Sequence, residues 1–495
     1  MVQAKWGMAA LAAIVGAGVI WYAARGSKPA PRTGDPRPGT PVAVVKTAGA
    51  SQRDTGGLTP VRTDTTVHKW APAVKPKELS ANVKKGLAWL VKTQQANGSW
   101  GQGEESAQMG GGMAGIKSSP NVADTCMGAL ALIRAGNTPQ NGEYKDAVQK
   151  AVAFVCSEIE QSDEKSMFIT NLKGTRTQAK LGQYIDTFMA SMLLAEVREQ
   201  MQDEAATKRA KAAFHKVMDK IEKNQKPDGT WDGQGWAPVL QQSIAAKGIN
   251  RAAQSGAVVN EEVRAKLEKF SQGNFDMRGG KVALAKPAAT PADAAPGEHF
   301  ETASAFGTDR AAALSGPRAA GRTVGVGGGA AGTAGVELYG WAANVSALRD
   351  QENTNALEAP KLKERLASAN DEKEKQQIET TLARYATNTT ALKAAETSLV
   401  QNLQDDRFVN GFGSNGGEEF LSYMNIGESL VVGGGEAWEK WDKQITGNLN
   451  RIQNEDGSWT GHHCITGRTF CTSAALLVLT VDRAPVPVAA EIRRR

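Results

Sequence analysis

A group of histidine and cysteine residues near the C-terminal end of the sequence has the residue types that bind metals. It contains His462, His463, Cys464 and Cys471, and Asp456 lies a few residues upstream. Imidazole, thiolate and carboxylate groups are all competent zinc ligands. Adjacent histidines rarely bind one ion together, however, and the two cysteines could instead form a disulfide that closes a short loop. Zinc binding through His463, Cys464 and Cys471, a Cys464–Cys471 disulfide, and two free thiols are the three alternatives that the sequence leaves open.

Carboxylates at the starts of predicted helices form a second group of candidates. Asp124 and Asp186 each stand near the start of a predicted helix, and Glu418 and Glu419 precede another. Two carboxyl groups that face one cavity can act as general acid and base, for example on a sugar substrate. A carboxylate at a helix N-terminus is equally explained as a cap or as a partner of the helix dipole. We therefore keep Asp124 and Asp186 as catalytic candidates beside this structural explanation.

A seven-residue pattern that recurs three times predicts how the helices are joined. Each copy reads Gln-x-x-x-Gly-x-Trp and has an aliphatic residue four positions before the Gln. The Gln amide can bond free groups at a helix end, the Gly allows a positive φ, and the Trp can fold back as an apolar plate. Each unit is therefore predicted to fasten one helix to the start of the next. The copies are Gln94, Gly98 and Trp100, then Gln225, Gly229 and Trp231, then Gln453, Gly457 and Trp459, preceded by Leu90, Ile221 and Leu449.

The repeated pattern resembles the QW motif of the prenyltransferase and squalene/terpene-cyclase superfamily. Two further segments, 122–132 and 182–193, look like inner helices of that fold, and 462–472 looks like the loop before the last one. The resemblance covers roughly residues 79–270 and 411–481. It implies an all-α protein whose helices close into an α/α-toroid.

The resemblance implies two activities, and the sequence lacks key features of both. Squalene-type cyclases of this superfamily carry an Asp-x-Asp-Asp acid motif, which is absent here, since Asp405–Asp406 is the only Asp pair. Six Tyr and twelve Phe make an aromatic cavity for a carbocation hard to build. The superfamily's protein prenyltransferases bind zinc through Asp, Cys and His, but the spacing around Cys464 departs from their pattern. We expect a binding or scaffold protein without a cofactor; the alternative is an isoprenoid-handling enzyme, with zinc.

Composition divides the chain into segments. Runs of Pro, Gly, Thr and Arg predict a flexible linker, whereas apolar residues at helical spacing predict the toroid. An Ala/Gly-rich insertion and a charged stretch interrupt the toroid, and we interpret the charged stretch as an exposed helical hairpin. The predicted segments are the linker at 25–78, the toroid at 79–278 and 406–483, the insertion at 279–340, the hairpin at 341–405 and a basic tail at 484–495.

The first 24 residues predict a membrane segment. Met8–Ala24 is an uncharged apolar run of 17 residues that follows Lys5, at the lower limit for crossing a bilayer. A cleaved signal peptide and a buried helix are the alternatives. The basic residues from Arg25 to Arg37 would keep the following side cytoplasmic under the positive-inside rule, although long domains often override it. We expect a membrane-anchored protein whose main domain faces the periplasm.

Charge and glycine patterns argue against two kinds of ligand. The net charge of +6 is small for 495 residues, and no basic cluster has interleaved aromatics, so we expect no nucleic-acid partner. The glycine run at 325–335 has no preceding strand and no following Lys-Ser/Thr, so it is not a phosphate-binding loop. The expected partners are the membrane and another protein, and the small-molecule ligand stays open.

Overall fold

The computed structural model describes residues 69–106, 116–233, 235–276, 281–282 and 336–488. The predicted membrane segment Met8–Ala24, most of the linker and most of the Ala/Gly-rich insertion lie outside these residues. Within the described ranges, no helix is both long and apolar enough to span a bilayer.

Helices account for most of the described residues, which confirms the all-α prediction. Side chains at helix starts, such as Ser80, Asn121, Thr175, Asp203 and Asn260, accept bonds from first-turn N–H groups and so fix where the helices begin. The α-helices of the described residues are α1 (Ala81–Thr93), α2 (Val122–Arg134), α3 (Lys145–Gln161), α4 (Arg176–Leu181), α5 (Ile185–Val197), α6 (Glu204–Lys223), α7 (Pro238–Gln254), α8 (Glu261–Gly273), α9 (Glu337–Ser368), α10 (Glu372–Asn402), α11 (Asp406–Val409), α12 (Gly417–Gly433), α13 (Gly435–Arg451) and α14 (Arg468–Leu479).

Two short antiparallel strand pairs accompany the described helices. Strand β1 (Trp70–Pro72) pairs with β4 (Pro485–Pro487), and β2 (Phe275–Asp276) pairs with β3 (Lys281–Val282). In the first pair Ala71 lies opposite Val486. The segments at the two ends of the described chain are therefore held side by side.

Six inner helices contact one another in a closed circle. In order they are α2, α5, α7, α9, α12 and α14, and α14 packs back against α2. These helices are buried almost all round: α5 buries every residue from Ile185 to Ala195, and α14 buries those from Thr469 to Val478. A helix that is covered on every side is typical of a core element.

Six outer helices pack on this circle with one apolar face each. They are α1, α3, α6, α8, α10 and α13, and each contacts at least one inner helix. In α6 the buried residues Ala210, Phe214, Val217 and Ile221 recur at helical spacing while most of the basic side chains face outward. This amphipathic pattern is what the sequence expectation of paired helices requires.

The predicted charged hairpin differs from expectation in its first half. Helices α9 and α10 are separated at residues 369–371, as the two arms of a hairpin require. The side chains from Leu338 to Leu348, however, are all buried, so this half of α9 is one of the inner helices. Only the far part extends outward, around a small separate cluster of Leu362, Ile378 and Tyr385. The sequence did not predict this buried half of α9, because the many charged residues at 361–384 indicated an exposed hairpin.

Candidate functional site

The tryptophan of each repeated motif folds back onto the end of its own outer helix. Its indole Nε1 donates a hydrogen bond to the carbonyl of the aliphatic residue ten positions earlier, and its side chain is at most 1% exposed. The aliphatic residue thus supplies a free carbonyl at the helix end. The three bonds are Trp100 to Leu90 at 2.9 Å, Trp231 to Ile221 at 2.9 Å and Trp459 to Leu449 at 2.8 Å.

The glutamine of each motif fastens that helix end to another outer helix. Its Nε2 donates to the motif glycine's carbonyl and to a first-turn carbonyl of the next outer helix in the circle. The second acceptors are Ala147 in α3 for Gln94 at 2.9 Å, Val263 in α8 for Gln225 at 3.1 Å and Asn82 in α1 for Gln453 at 2.9 Å. The last bond spans 371 residues and joins the end of α13 to the start of α1, so the third motif closes the outer circle.

The motif glycines cannot be replaced without strain. Gly98, Gly229 and Gly457 have φ values of 88°, 86° and 97°, which side-chain-bearing residues rarely adopt. A Cβ at Gly457 would also lie 2.6 Å from the carbonyl oxygen of Lys85 in α1. Each glycine is therefore required by its turn and by the close approach of the next helix.

The N-terminal ends of the inner helices, with the loops beside them, form one end of the ring, which we call the mouth. Asp124 in α2 and Asp186 in α5 meet there, both buried. Asp186 accepts bonds from the Ala123 N–H at 2.9 Å and from Gln178 Nε2 at 2.8 Å. Asp124 accepts none from another side chain, and burial, reinforced by the charge of Asp186, raises the pKa of Asp124 to about 8. The Asp124 carboxyl is consequently neutral at pH 7.

Glu418 and Glu419 start α12 in the mouth and have different surroundings. Glu419 is held on all sides, by the Tyr339 hydroxyl at 2.5 Å, the Phe412 N–H at 3.1 Å and the Gly416 N–H at 3.0 Å. Glu418 accepts one bond, from the Ile465 N–H at 3.1 Å, and its other oxygen has no partner. Burial, together with the charge of Glu419, raises the pKa of Glu418 to about 7. Glu419 thus connects α9, the loop before α12 and α12 itself in the mouth.

His463 is held as a cation beside Glu419. Its Nε2 lies 2.7 Å from the Ser414 carbonyl oxygen and 3.2 Å from the Glu419 carboxylate. Although burial opposes its charge, the neighbouring Cys464 thiol and the Glu419 carboxylate raise the pKa of His463 to about 11. A protonated imidazole cannot bind a metal ion through the nitrogen that serves this pair.

The predicted Cys464–Cys471 disulfide is not formed, because all four cysteines are free thiols. Cys471 lies inside α14 and its thiol donates to the Ile465 carbonyl at 3.4 Å. Cys464 adopts a left-handed φ of 55° next to His463. Burial raises the pKa of both thiols, and that of Cys156 to about 12, so these are protonated core side chains.

The predicted zinc ligands do not converge either. Over the described ranges, no three His, Cys, Asp or Glu side chains form a group that could hold a metal ion. His463 forms an ion pair with Glu419. Asp456 accepts hydrogen bonds from the Ser458 hydroxyl at 2.8 Å and from the Trp89 indole N–H at 3.1 Å. His462 is exposed. The structure therefore does not bring His463, Cys464 and Cys471 together as a group of three ligands.

An aromatic group stands at the surface of the mouth, and we call it the mouth rim. Phe412 is 54% exposed, and its ring lies 4.8 Å from that of His463 and 5.9 Å from that of Trp236. It sits between Gly411 and Gly413, which both have positive φ. Phe412 is not among the residues that the sequence predicts for the site, although its two flanking glycines indicate a tight turn that exposes it.

A network of six buried charges fills the axis of the ring at the end opposite the mouth. Three cations and three carboxylates from five inner helices pair there, each at most 8% exposed. Glu428 is central: although burial opposes its charge, Lys247, Arg134 and Arg251 hold its pKa far below the usual range. The members of this axial ion network are Arg134, Glu196, Lys247, Arg251, Asp350 and Glu428, with contacts that include Arg134–Glu428 at 2.7 Å, Lys247–Glu428 at 2.6 Å and Lys247–Asp350 at 2.9 Å.

Comparisons with known proteins add no relative: no family model matches this sequence, and no curated protein matches it. The site is therefore defined by its own geometry. It consists of a mouth with the buried carboxyl groups of Asp124, Asp186, Glu418 and Glu419, an aromatic rim at the surface of the mouth, and the axial ion network at the opposite end.

Proposed function

We propose that this chain is an α/α-toroid of the prenyltransferase/squalene-cyclase repeat type. Two observations support this. The inner helices contact one another in a closed circle, and Gln453 joins the last outer helix to the first. The three Gln-x-x-x-Gly-x-Trp motifs occupy the helix ends in the same way each time.

We propose that the toroid binds a partner as a scaffold component and has no catalytic role. The observation that carries this proposal is the axial ion network. An isoprenoid substrate requires an apolar cavity along the ring axis, whereas here Glu428 reaches across the axis to Lys247 and Arg134. Removing water from paired charges is costly, and placing a hydrocarbon chain among them costs still more.

The mouth rim is the surface that we assign to the partner, which we take to be a protein. Among the described residues, Phe412 and Val258 are the large apolar side chains left exposed. The Phe412 ring packs against the rings of Trp236 and His463. Binding a partner would therefore cost little additional side-chain conformational entropy. Aromatic anchors of this kind dominate protein interfaces.

We propose a location for the toroid from its sequence. The apolar run Met8–Ala24 and the Pro-rich linker support a membrane-tethered component of an envelope assembly. We propose the periplasmic side for its main domain, against the basic residues from Arg25 to Arg37, because long domains often override the positive-inside rule.

Site-specific photo-crosslinking in cells tests the binding proposal. A photoreactive phenylalanine analogue at position 412 should give a discrete crosslinked protein band, and the same analogue at position 258 is the matched control. A Trp236→Ala change should weaken the band at 412, since it removes the ring that braces Phe412. Equal bands at both positions, or none at 412, would overturn the assignment of the rim.

Incubation with labelled farnesyl diphosphate and with squalene tests the enzymatic alternative. We expect neither turnover nor quenching of tryptophan fluorescence on the purified chain. Turnover that Asp124→Asn abolishes would instead establish an isoprenoid-handling enzyme and remove the scaffold proposal.

A further inference from the structure

A lysine beside the mouth rim has no carboxylate partner among the described residues. Lys180 lies in the last turn of α4 and is half-buried. Its ammonium nitrogen lies 5.1 Å from the centre of the Trp236 ring, a distance at which a cation and an aromatic face attract each other. Within the described ranges, Lys180 forms no ion pair with an Asp or Glu side chain.

The Trp236 ring joins Lys180 to the rest of the rim. The Trp236 N–H donates to the Ala179 carbonyl at 3.4 Å, and the Ala237 N–H donates to the Lys180 carbonyl at 2.7 Å. These two bonds fix the backbone of Trp236 against the end of α4. The Trp236 ring also lies 5.9 Å from the Phe412 ring. The ammonium group and the two aromatic rings therefore form one surface.

The carboxyl groups beneath the rim offset little of the charge of Lys180. Glu419 forms its ion pair with His463. Burial raises the pKa of Asp124 to about 8, so its carboxyl group is neutral at pH 7. Burial likewise raises the pKa of Glu418 to about 7, which leaves it only partly ionised at that pH. The rim therefore presents a positive charge to a partner.

This arrangement favours a partner segment that has a carboxylate next to a large apolar side chain. The Phe412 ring is 54% exposed and can be covered by an apolar group. A carboxylate beside that group can reach Lys180. Because Lys180 is half-buried against Trp236 in the free protein, pairing removes less water from it than from a fully exposed lysine.

We propose that the mouth rim recognises an acidic segment of its protein partner, in which an Asp or Glu side chain pairs with Lys180 while an adjacent aromatic or aliphatic side chain packs on Phe412 and Trp236. The inference rests on the proposed function of the rim and adds the chemistry of the partner. The aromatic contact supplies most of the affinity, and Lys180 selects by charge. A basic segment is disfavoured, because it would place a like charge beside Lys180.

Selection of peptides from a random display library on the purified full-length chain tests this inference. The selected peptides should carry Asp or Glu next to an aromatic or aliphatic residue. Their affinity should fall as NaCl is raised from about 50 mM to about 300 mM, since salt screens charge pairs at a surface. Lys180→Glu should weaken their binding roughly tenfold, and selection on this variant should favour Lys or Arg instead. Lys84→Glu makes the same charge change at an exposed lysine of α1 and should leave the affinity unchanged.

Two conservative variants separate the charge of Lys180 from the packing of its side chain. Lys180→Gln keeps most of the aliphatic stem and removes the charge, so it should also weaken binding. Lys180→Arg should retain binding, since a guanidinium group can take the place of the ammonium group on Trp236. Loss of binding in Lys180→Arg equal to that in Lys180→Gln would show that packing matters and charge does not.

Phe412→Ala distinguishes failure of this inference from failure of the proposed function. It should abolish binding of the selected peptides. If the selection gives no peptide that requires Phe412, the rim is not the binding surface and the proposed function fails. If the peptides require Phe412 but lack acidic residues, or bind Lys180→Glu as tightly as the wild type, only the acidic partner is overturned.

Discussion

At the residue scale, burial keeps the Asp124 carboxyl group of the mouth in the neutral form. Asp124 is wholly buried and neither of its carboxyl oxygens accepts a hydrogen bond. The neighbouring Asp186 accepts two hydrogen bonds, one from a backbone N–H and one from a side-chain amide. The two residues looked equivalent in the sequence, since each stands in the first turn of an inner helix. Their difference arises from Gln178 and the Ala123 N–H, which both serve Asp186.

Replacing Asp124 by Asn should stabilise the protein at neutral and mildly alkaline pH. The folded pKa of Asp124 is about 8, against roughly 3.9 in an unfolded chain, so the folded state holds an extra proton between these values. The free energy of unfolding therefore falls as pH rises from about 4 to about 8. We expect Asp124→Asn to gain on the order of 1–3 kcal/mol at pH 8 in urea denaturation, and little at pH 4.

Asp186→Asn is the control for that measurement. Its two hydrogen bonds favour the carboxylate, so the amide should destabilise the fold by roughly 1–2 kcal/mol. An Asp124→Asn protein that retained the wild-type pH slope would show that Asp124 is ionised in the folded state.

At the element scale, the repeated motif acts as a junction between neighbouring outer helices. The tryptophan closes the end of one helix, the glutamine reaches the next, and the glycine permits both to approach. The three copies differ in what they join, and the third alone connects the two ends of the ring. Its turn therefore matters to the closure of the whole fold.

Gly457→Ala should destabilise the fold by roughly 2–3 kcal/mol. The new Cβ requires an unfavourable φ of 97° and would press on the Lys85 carbonyl at 2.6 Å. Gly447→Ala is a matched control in α13, where a Cβ meets nothing within 4 Å. There alanine should stabilise by about 0.5–1 kcal/mol through helix propensity. Thermal unfolding of both variants checks the prediction, and equal shifts would contradict it.

At the scale of the whole molecule, paired charged side chains, and not apolar ones, fill the axis of the ring at the end opposite the mouth. Glu428 contacts cations from α2 and α7, helices that do not neighbour α12 in the inner circle. The network therefore braces the circle across its centre. Such a brace is sensitive to loss of one member, because the remaining charges stay buried.

Glu428→Gln should destabilise the protein by roughly 3–5 kcal/mol, since it leaves Lys247, Arg134 and Arg251 with too few carboxylates. Added salt should not restore stability, because buried pairs are weakly screened. Glu436→Gln is the control: its exposed pair with Lys440 should be dispensable in the same denaturation experiment. A Glu428→Gln protein as stable as the wild type would contradict the bracing role.

The local features of the fold could be predicted from the sequence. Periodicity and turn residues predict helices, and the spacing of Gln94, Gly98 and Trp100 predicts a tryptophan that folds back on a helix end. These features depend on contacts between residues a few positions apart, which the order of side chains determines. The apolar half of α9 was missed because charged residues dominate the rest of that helix.

Tertiary structure alone decided the chemistry of the site. The sequence left zinc binding, a disulfide and free thiols open for Cys464 and Cys471. In the structure both are free thiols: Cys471 donates to the Ile465 carbonyl, and Cys464 lies at a left-handed turn. Asp350, Glu428 and Lys247 are ordinary charges in sequence, spread over three helices, and become one network only when the ring closes. The charge state and partners of a side chain depend on burial and on neighbours distant along the chain, and these exist only in the folded protein.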